Sequence, residues 1–211
     1  GAGRLILRPG GHGALLDNLQ ALDEDIVFIK NIDNVAPDRL KPVITLHKKI
    51  LGGYFLRLEE EIFRHLRNIS GGDTAEEQVR EALFFCRQRL QWALPVAFDG
   101  SSLPRQRELI IRRLNCPLRV CGIVRNLGEP GGGPFWIDAE EGQSLQIVEA
   151  QQIDAGCEQQ KAVWSAGTHF NPVDLVCGLR DYRSQKFDLP HFSDPQTATL
   201  SQKTEGVRKI T

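Results

Sequence analysis

No methionine occurs among the 211 residues, and the chain opens Gly-Ala-Gly. A chain of this length ordinarily holds several methionines, so the sequence reads as a piece of a longer polypeptide. No run approaches the roughly 20 apolar residues that a membrane-spanning helix needs. The longest candidate, Ile50-Leu-Gly-Gly-Tyr-Phe-Leu56, is short and flanked by charge. No signal-peptide pattern stands at the amino terminus. Neither sign of charge dominates: 26 Lys and Arg against 27 Asp and Glu leave −1. That excludes a global field for nucleic acid or an anionic membrane. The five cysteines (Cys86, Cys116, Cys121, Cys157 and Cys177) are odd in number and form no C-x-x-C pair. A zinc site and a disulfide framework are therefore not indicated, and the cysteines read as small buried hydrophobes of a reduced, cytoplasmic protein. There is no G-x-S-x-G elbow, no H-E-x-x-H, no Walker loop and no G-x-G-x-x-G.

What is present is ordinary for a globular domain, with 41% apolar and 25% charged residues. The length fits one large domain or one and a half small ones, with no need of a metal or disulfide staple, and the expectation is a single α/β domain over residues 1–211. Arg4-Leu-Ile-Leu-Arg8 is an apolar run that stops at Pro9-Gly-Gly-His-Gly13. Leu15, Leu16, Leu19 and Leu22 then recur at helical spacing, and Ile26-Val-Phe-Ile29 reads as a strand buried on both faces. Together these predict a β-α-β unit.

Val43, Leu46, Ile50, Tyr54, Leu58, Ile62 and Leu66 step by three or four, broken only at Gly52-Gly53. Thr74-Ala-Glu-Glu77 is a capping-box pattern opening a second helix. Ser102-Leu-Pro104 opens a third. Residues 37–115 therefore read as a helical insertion. Strands are predicted at Leu118–Val124, Pro134–Ile137, Ser144–Glu149 and Ala162–Ser165. Asn171-Pro172 reads as a helix start, and residues 196–211 as a polar tail.

Four segments carry candidate chemistry. Pro9-Gly-Gly-His-Gly13 lies between a strand and a helix, where glycines admit a ligand and helix N–H groups favour an anion. Lys30, Asn31, Asp33 and Asn34 follow the strand at Ile26, where an Asp can hold Mg²⁺ and an Asn can bond a sugar hydroxyl. A tight turn and an Asx turn explain these two segments equally simply. Arg125-Asn-Leu-Gly-Glu-Pro-Gly-Gly-Gly133 is either a substrate cradle or a hairpin connection. In Thr168-His-Phe-Asn-Pro172, Asn171 is most simply a cap and His169 a hydrogen-bonded structural residue.

These segments, in this order, resemble the UDP-sugar pyrophosphorylases, notably the UTP–glucose-1-phosphate uridylyltransferases. The likeness rests on Pro9-Gly-Gly-His-Gly13, Asn31-Ile-Asp-Asn34, Arg125 with Gly131-Gly-Gly133, Leu145-Gln-Ile-Val-Glu149-Ala-Gln151, and Phe170-Asn171. The stretches RPGGHGALL, FIKNIDN, EPGGGPFW and THFNPVDLVCGLRDY are also similar to an uncharacterised bacterial family of unknown function. The resemblance covers most of residues 3–195. It implies a mixed, mostly parallel Rossmann-like sheet of the nucleotide-diphospho-sugar transferase type.

It also implies roles. Gly10, Gly11, His12, Gly13 and Asn31 would bind the nucleotide. Gly132, Gly133, Glu149 and Asn171 would hold the sugar. Asp33 would hold Mg²⁺ as the metal ligand and act in catalysis with Arg125 and Lys186. The implied partners are a nucleoside triphosphate and a sugar phosphate, with no nucleic acid and no membrane. The helical insertion is a candidate for self-association. The pyrophosphorylases begin with a glycine-rich loop bearing a basic residue, and no such segment stands before Arg4. The expected function is thus sugar-1-phosphate nucleotidyl transfer. A non-catalytic nucleotide- or sugar-phosphate-binding module, and an interaction domain, stay open as alternatives.

Overall fold

The computed structural model describes residues 15–32, 34–72, 74–95, 97–139, 142–193, 203–205 and 208–210. The glycine segment Gly10–Gly13 and Asp33 lie outside the described residues. Helix α1 spans Leu16–Ala21 and strand β1 Ile26–Lys30. Three helices follow: α2 (Lys41–Ile69), α3 (Glu76–Arg89) and α4 (Leu103–Leu114). Then come β2 (Arg119–Cys121), β3 (Val124–Arg125), β4 (Gly133–Ala139) and β5 (Gly142–Val148). Helix α5 (Glu158–Ser165), β6 (His169–Phe170) and β7 (Asp174–Gly178) follow. Within the expected polar tail, β8 (Lys203–Glu205) and β9 (Arg208–Ile210) pair as a hairpin. No helix among the described residues is long and apolar enough to cross a membrane.

The long helix runs unbroken through Gly52-Gly53. Gly52 lets the Phe28 ring of β1 lie against the helix, since a Cβ there would stand 2.8 Å from Phe28 Cζ. The core lies among α2, α3 and α4, with Leu66, Ile69, Cys86 and Ile110 wholly enclosed. Arg107 closes the carboxyl end of α2 by donating to the carbonyls of Ile69 (2.5 Å) and Gly71 (2.6 Å), which the helix itself leaves unpaired. Helix α3 starts one residue later than Thr74 would set it. The Gln78 side chain accepts from the Ala75 N–H at 3.1 Å, while Thr74 Oγ1 turns back to Gly71 O at 2.8 Å.

The central sheet has the order β1-β7-β2, and both pairings are antiparallel. The other described pairs, β3-β6, β4-β5 and β8-β9, are antiparallel as well. The molecule is thus of mixed α/β class, but the parallel Rossmann-like sheet expected from the resemblance is not found among the described residues. The strand that sits between β1 and β2 is β7, which returns from the far end of the chain and runs against both. Two further expectations fail locally. Ala162–Ser165 is helical, within α5, because a four-residue apolar run fits one helical turn as well as a strand. Asn171-Pro172 does not open a helix, because Asp174–Gly178 is claimed by strands on both sides.

Helix α2 lies along one face of this sheet in the direction of β7. Lys48 pairs with Asp174 at 2.6 Å at one end of the strand, and Phe55 and Glu59 abut Gly178 at the other. On the opposite face Val27, like Leu16 and Leu19, packs against Leu179, Phe187 and Leu189. Strand β1 is less enclosed than its apolar run implies, since Phe28 is 47% exposed.

Burial, and secondly the nearby Asp25 carboxylate, push the Glu59 carboxyl up from 4.5 to about 6. The folded chain therefore binds more protons than the unfolded chain between those values. This contribution is fully present below 4.5 and is lost as pH rises through about 6. Glu59→Gln is expected to raise stability near neutral pH by about 1 kcal/mol, with no gain below pH 4.5. Urea denaturation on both sides of that window measures it.

Candidate functional site

The turn from Asn171 to Asp174 enters β7, and several candidate segments meet around it. Asn171 is buried, at 4% exposure. Its backbone N–H donates to Gly132 O at 2.8 Å, and its side-chain Nδ2 donates to Gly122 O at 2.6 Å. Its Oδ1 accepts the Val173 N–H at 3.0 Å, which makes an Asx-type turn rather than a helix cap. Every polar group of the Asn171 amide is thereby engaged inside the fold.

Val173 has φ of +55°. A β-branched residue in the left-handed region is rare and costs about 1–3 kcal/mol. The turn is held there from three directions. Asn171 takes its N–H, Asn31 donates to its carbonyl at 3.0 Å, and the Asn34 amide donates to Pro172 O. Sequence reasoning attached candidate chemistry to Asn31 and Asn171 separately. The structure joins them through Val173.

Gly132 is the hub on the other side. A Cβ on it would stand 2.7 Å from Glu149 Oε1 and 2.8 Å from Ile147 Cγ2. The Glu149 carboxylate thus rests against a bare backbone, and a side chain at position 132 would have to displace it. Gly131 lies under the Phe170 ring, and Gly133 faces the carbonyl of His169. Arg125 is set beside His169 by the β3-β6 pairing. His169 Nδ1 lies 2.8 Å from Thr168 Oγ1.

A cleft of about 290 Å³ adjoins this cluster, lined by Pro134, Phe135, Val163, Ala166, Gly167, Thr168 and His169. That is the small end of the range for ligand pockets. Its wall is stiffened by the Phe135 ring stacked on Trp164 of α5, with centroids 5.3 Å apart.

Arg125 (through His169), Gly132, Gly133, Glu149, Asn171 and Asn31 (through Val173) are therefore joined in one chain of contacts, although they come from segments far apart in the sequence. Lys186 is not among them. It bridges Arg180 beyond the opposite end of β7, where Arg180 pairs with Asp23 and Asp25 at 2.7 Å. The expected nucleotide residues Gly10, Gly11, His12 and Gly13, and the expected metal ligand Asp33, lie outside the described residues. Among the described residues no three His, Cys, Asp or Glu side chains gather to hold a metal ion. The acid nearest the turn, Asp174, is paired with Lys48. Lys48, Asp174 and Val173 carry no motif, and only the fold could place them at the site.

All 211 residues match the model of a family described as a domain of unknown function (DUF4301), and the chain belongs to that family. No curated protein and no solved structure matches the chain.

Proposed function

We propose that the cluster at the amino-terminal end of β7 binds the sugar-phosphate part of a nucleotide sugar, in a protein related in action to the sugar-1-phosphate uridylyltransferases. The observation that carries this reading is the meeting of Gly132, Glu149 and the Asn171–Asp174 turn. A carboxylate against bare backbone offers acceptors for sugar hydroxyls. Arg125 and His169, side by side, offer donors for a phosphate. Asn31, exposed, is bonded to the Val173 carbonyl of the same turn. Asn171 acts by positioning, since its own amide is already bonded.

In the transfer reaction that the sequence resemblance implies, a sugar-1-phosphate oxygen attacks the α-phosphorus of a nucleoside triphosphate and pyrophosphate leaves. No covalent protein intermediate is required. The protein's part is alignment and the offsetting of charge on the phosphates. The position of Lys186, away from the cluster, favours the second reading of a binding module without transfer. Arg125 is the one expected cation that the described cluster retains.

Calorimetric titration with UDP-glucose, UTP, glucose-1-phosphate and the matching purine compounds, each with and without Mg²⁺, tests this. The expected result is binding in about the micromolar range with uridine selectivity, lost by about tenfold or more in Glu149→Ala. Gly132→Ala is expected to remove binding as well, at a stability cost of about 1–3 kcal/mol, because the added methyl drives Glu149 from its place. If none of these compounds binds, the reading fails. Pyrophosphate release from UTP and glucose-1-phosphate then separates transfer from simple binding.

A further inference from the structure

Helix α2 buries Phe55, Leu58, Ile62, Leu66 and Ile69, all from its carboxyl-terminal half. Its amino-terminal half leaves a second apolar stripe open. Val43 is 53% exposed, Leu46 57%, Ile50 58% and Tyr54 46%. At about 100° per residue these four, with Gly53 and Arg57, fall in a band about 100° wide. This is as broad as a core-facing stripe, yet among the described residues nothing covers it.

Gly53 lies within the band. A mid-helix glycine costs about 1 kcal/mol relative to alanine. Gly52 next to it is explained by Phe28, but a Cβ on Gly53 would meet nothing within 4 Å. A bare backbone along the edge of an apolar helix face admits the close approach of another helix.

Charge along α2 selects the occupant and its direction. Arg39 stands before the stripe and Glu60 beyond it, whereas Lys41 and Lys48 are taken up by Asp38 and Asp174, and Glu61 by Arg57 and Arg89. Arg39 and Glu60 are exposed and make no ion pair among the described residues. A second α2 laid parallel would set like charges together. Laid antiparallel, it would set opposite charges together and oppose the helix dipoles.

We propose that this chain pairs with a second copy of itself through the amino-terminal half of α2, the two helices antiparallel about a two-fold axis at Ile50. Equal offsets from that axis place Leu46 against the partner's Tyr54, and Val43 against the aliphatic stem of the partner's Arg57. Leu40 falls level with the partner's Glu60, with Arg39 beside it. Helix α2 from Lys41 to Arg57 is about 25 Å long. An interface built on it stands at the low end of specific contacts, so the dimer is reversible.

Sedimentation equilibrium on the intact chain over a wide concentration range is the test. The expected result is a monomer–dimer equilibrium in about the micromolar range. Ile50→Glu is expected to abolish it, leaving the far-ultraviolet circular dichroism unchanged because Ile50 is exposed. Arg39→Glu and Glu60→Lys are each expected to weaken the dimer by several-fold, and the double variant to recover it. A chain that is monomeric at every concentration overturns the proposal. So does a dimer indifferent to Ile50→Glu. Single charge variants that weaken the dimer without recovery in the double variant overturn the antiparallel pairing.

Discussion

Asn171→Ala is expected to lower the free energy of unfolding by about 2–4 kcal/mol and to remove the ligand binding proposed for the amino-terminal end of β7. The substitution deletes the donor to Gly122 O and the acceptor of the Val173 N–H, both inside the fold. The first deletion unpairs a carbonyl at the β2-β3 junction. The second releases the Val173 turn, whose left-handed backbone persists only while its neighbours hold it. Asn171→Asp keeps the acceptor but sets a carboxylate oxygen against Gly122 O, so it is expected to be no milder. Val173→Asn relieves the backbone without touching Asn171. It is expected to raise stability by about 1 kcal/mol, because asparagine tolerates that region. Urea denaturation with titration of UDP-glucose separates the effects. A stability loss below about 1 kcal/mol for Asn171→Ala would show that the turn is held by its other bonds.

Phe55→Ala is expected to cost about 3–5 kcal/mol. Phe55 is fully buried on α2, and its ring sits where a Cβ on Gly178 would come within 2.8 Å. The ring therefore fills the seam between the long helix and the carboxyl end of β7. Removing it opens a cavity that neither a 29-residue helix nor a strand paired on both sides can close by small shifts. Lys48–Asp174 and the Asn171 turn stand at the other end of the strand. Ligand affinity, measured where the variant is still folded, is accordingly expected to change little. A parallel loss of affinity would mean that the seam also positions the turn.

The contrast between these two residues follows what the sequence makes legible. Phe55 falls just outside the sequence-read stripe of Val43 to Leu66, yet the helix itself is evident from that periodicity. Helices α3 and α4 are equally evident, because each has local opening signals. The sheet is different. Nothing local in Asp174-Leu-Val-Cys-Gly178 says that it pairs antiparallel with β1 and β2, since pairing direction is decided by segments far away in the chain. Asn171-Pro172 carries a helix-start signature, and the strand that follows overrides it. The candidate site was legible in part. The glycine run, Glu149, Asn31 and Asn171 are visible as motifs, and each precedes or follows a strand. Lys186 shows the limit of such reading. Its place in the sequence does not say which end of β7 it attends.

The central strand is the last of its sheet to be made. Strand β7 pairs with β1 across most of the chain, while α2, α3 and α4 close on contacts between neighbours in sequence. Loop closure over so long a span is slow relative to helix formation and docking. The helical core is therefore expected to be in place before the sheet, during refolding and during synthesis alike. The Asn171 turn, Gly132 and Glu149 come together only once β7 has docked. Ligand binding at the proposed site would thus be a late reporter: it should appear after the burial of Trp92 between α3 and α4, and vanish before it on unfolding.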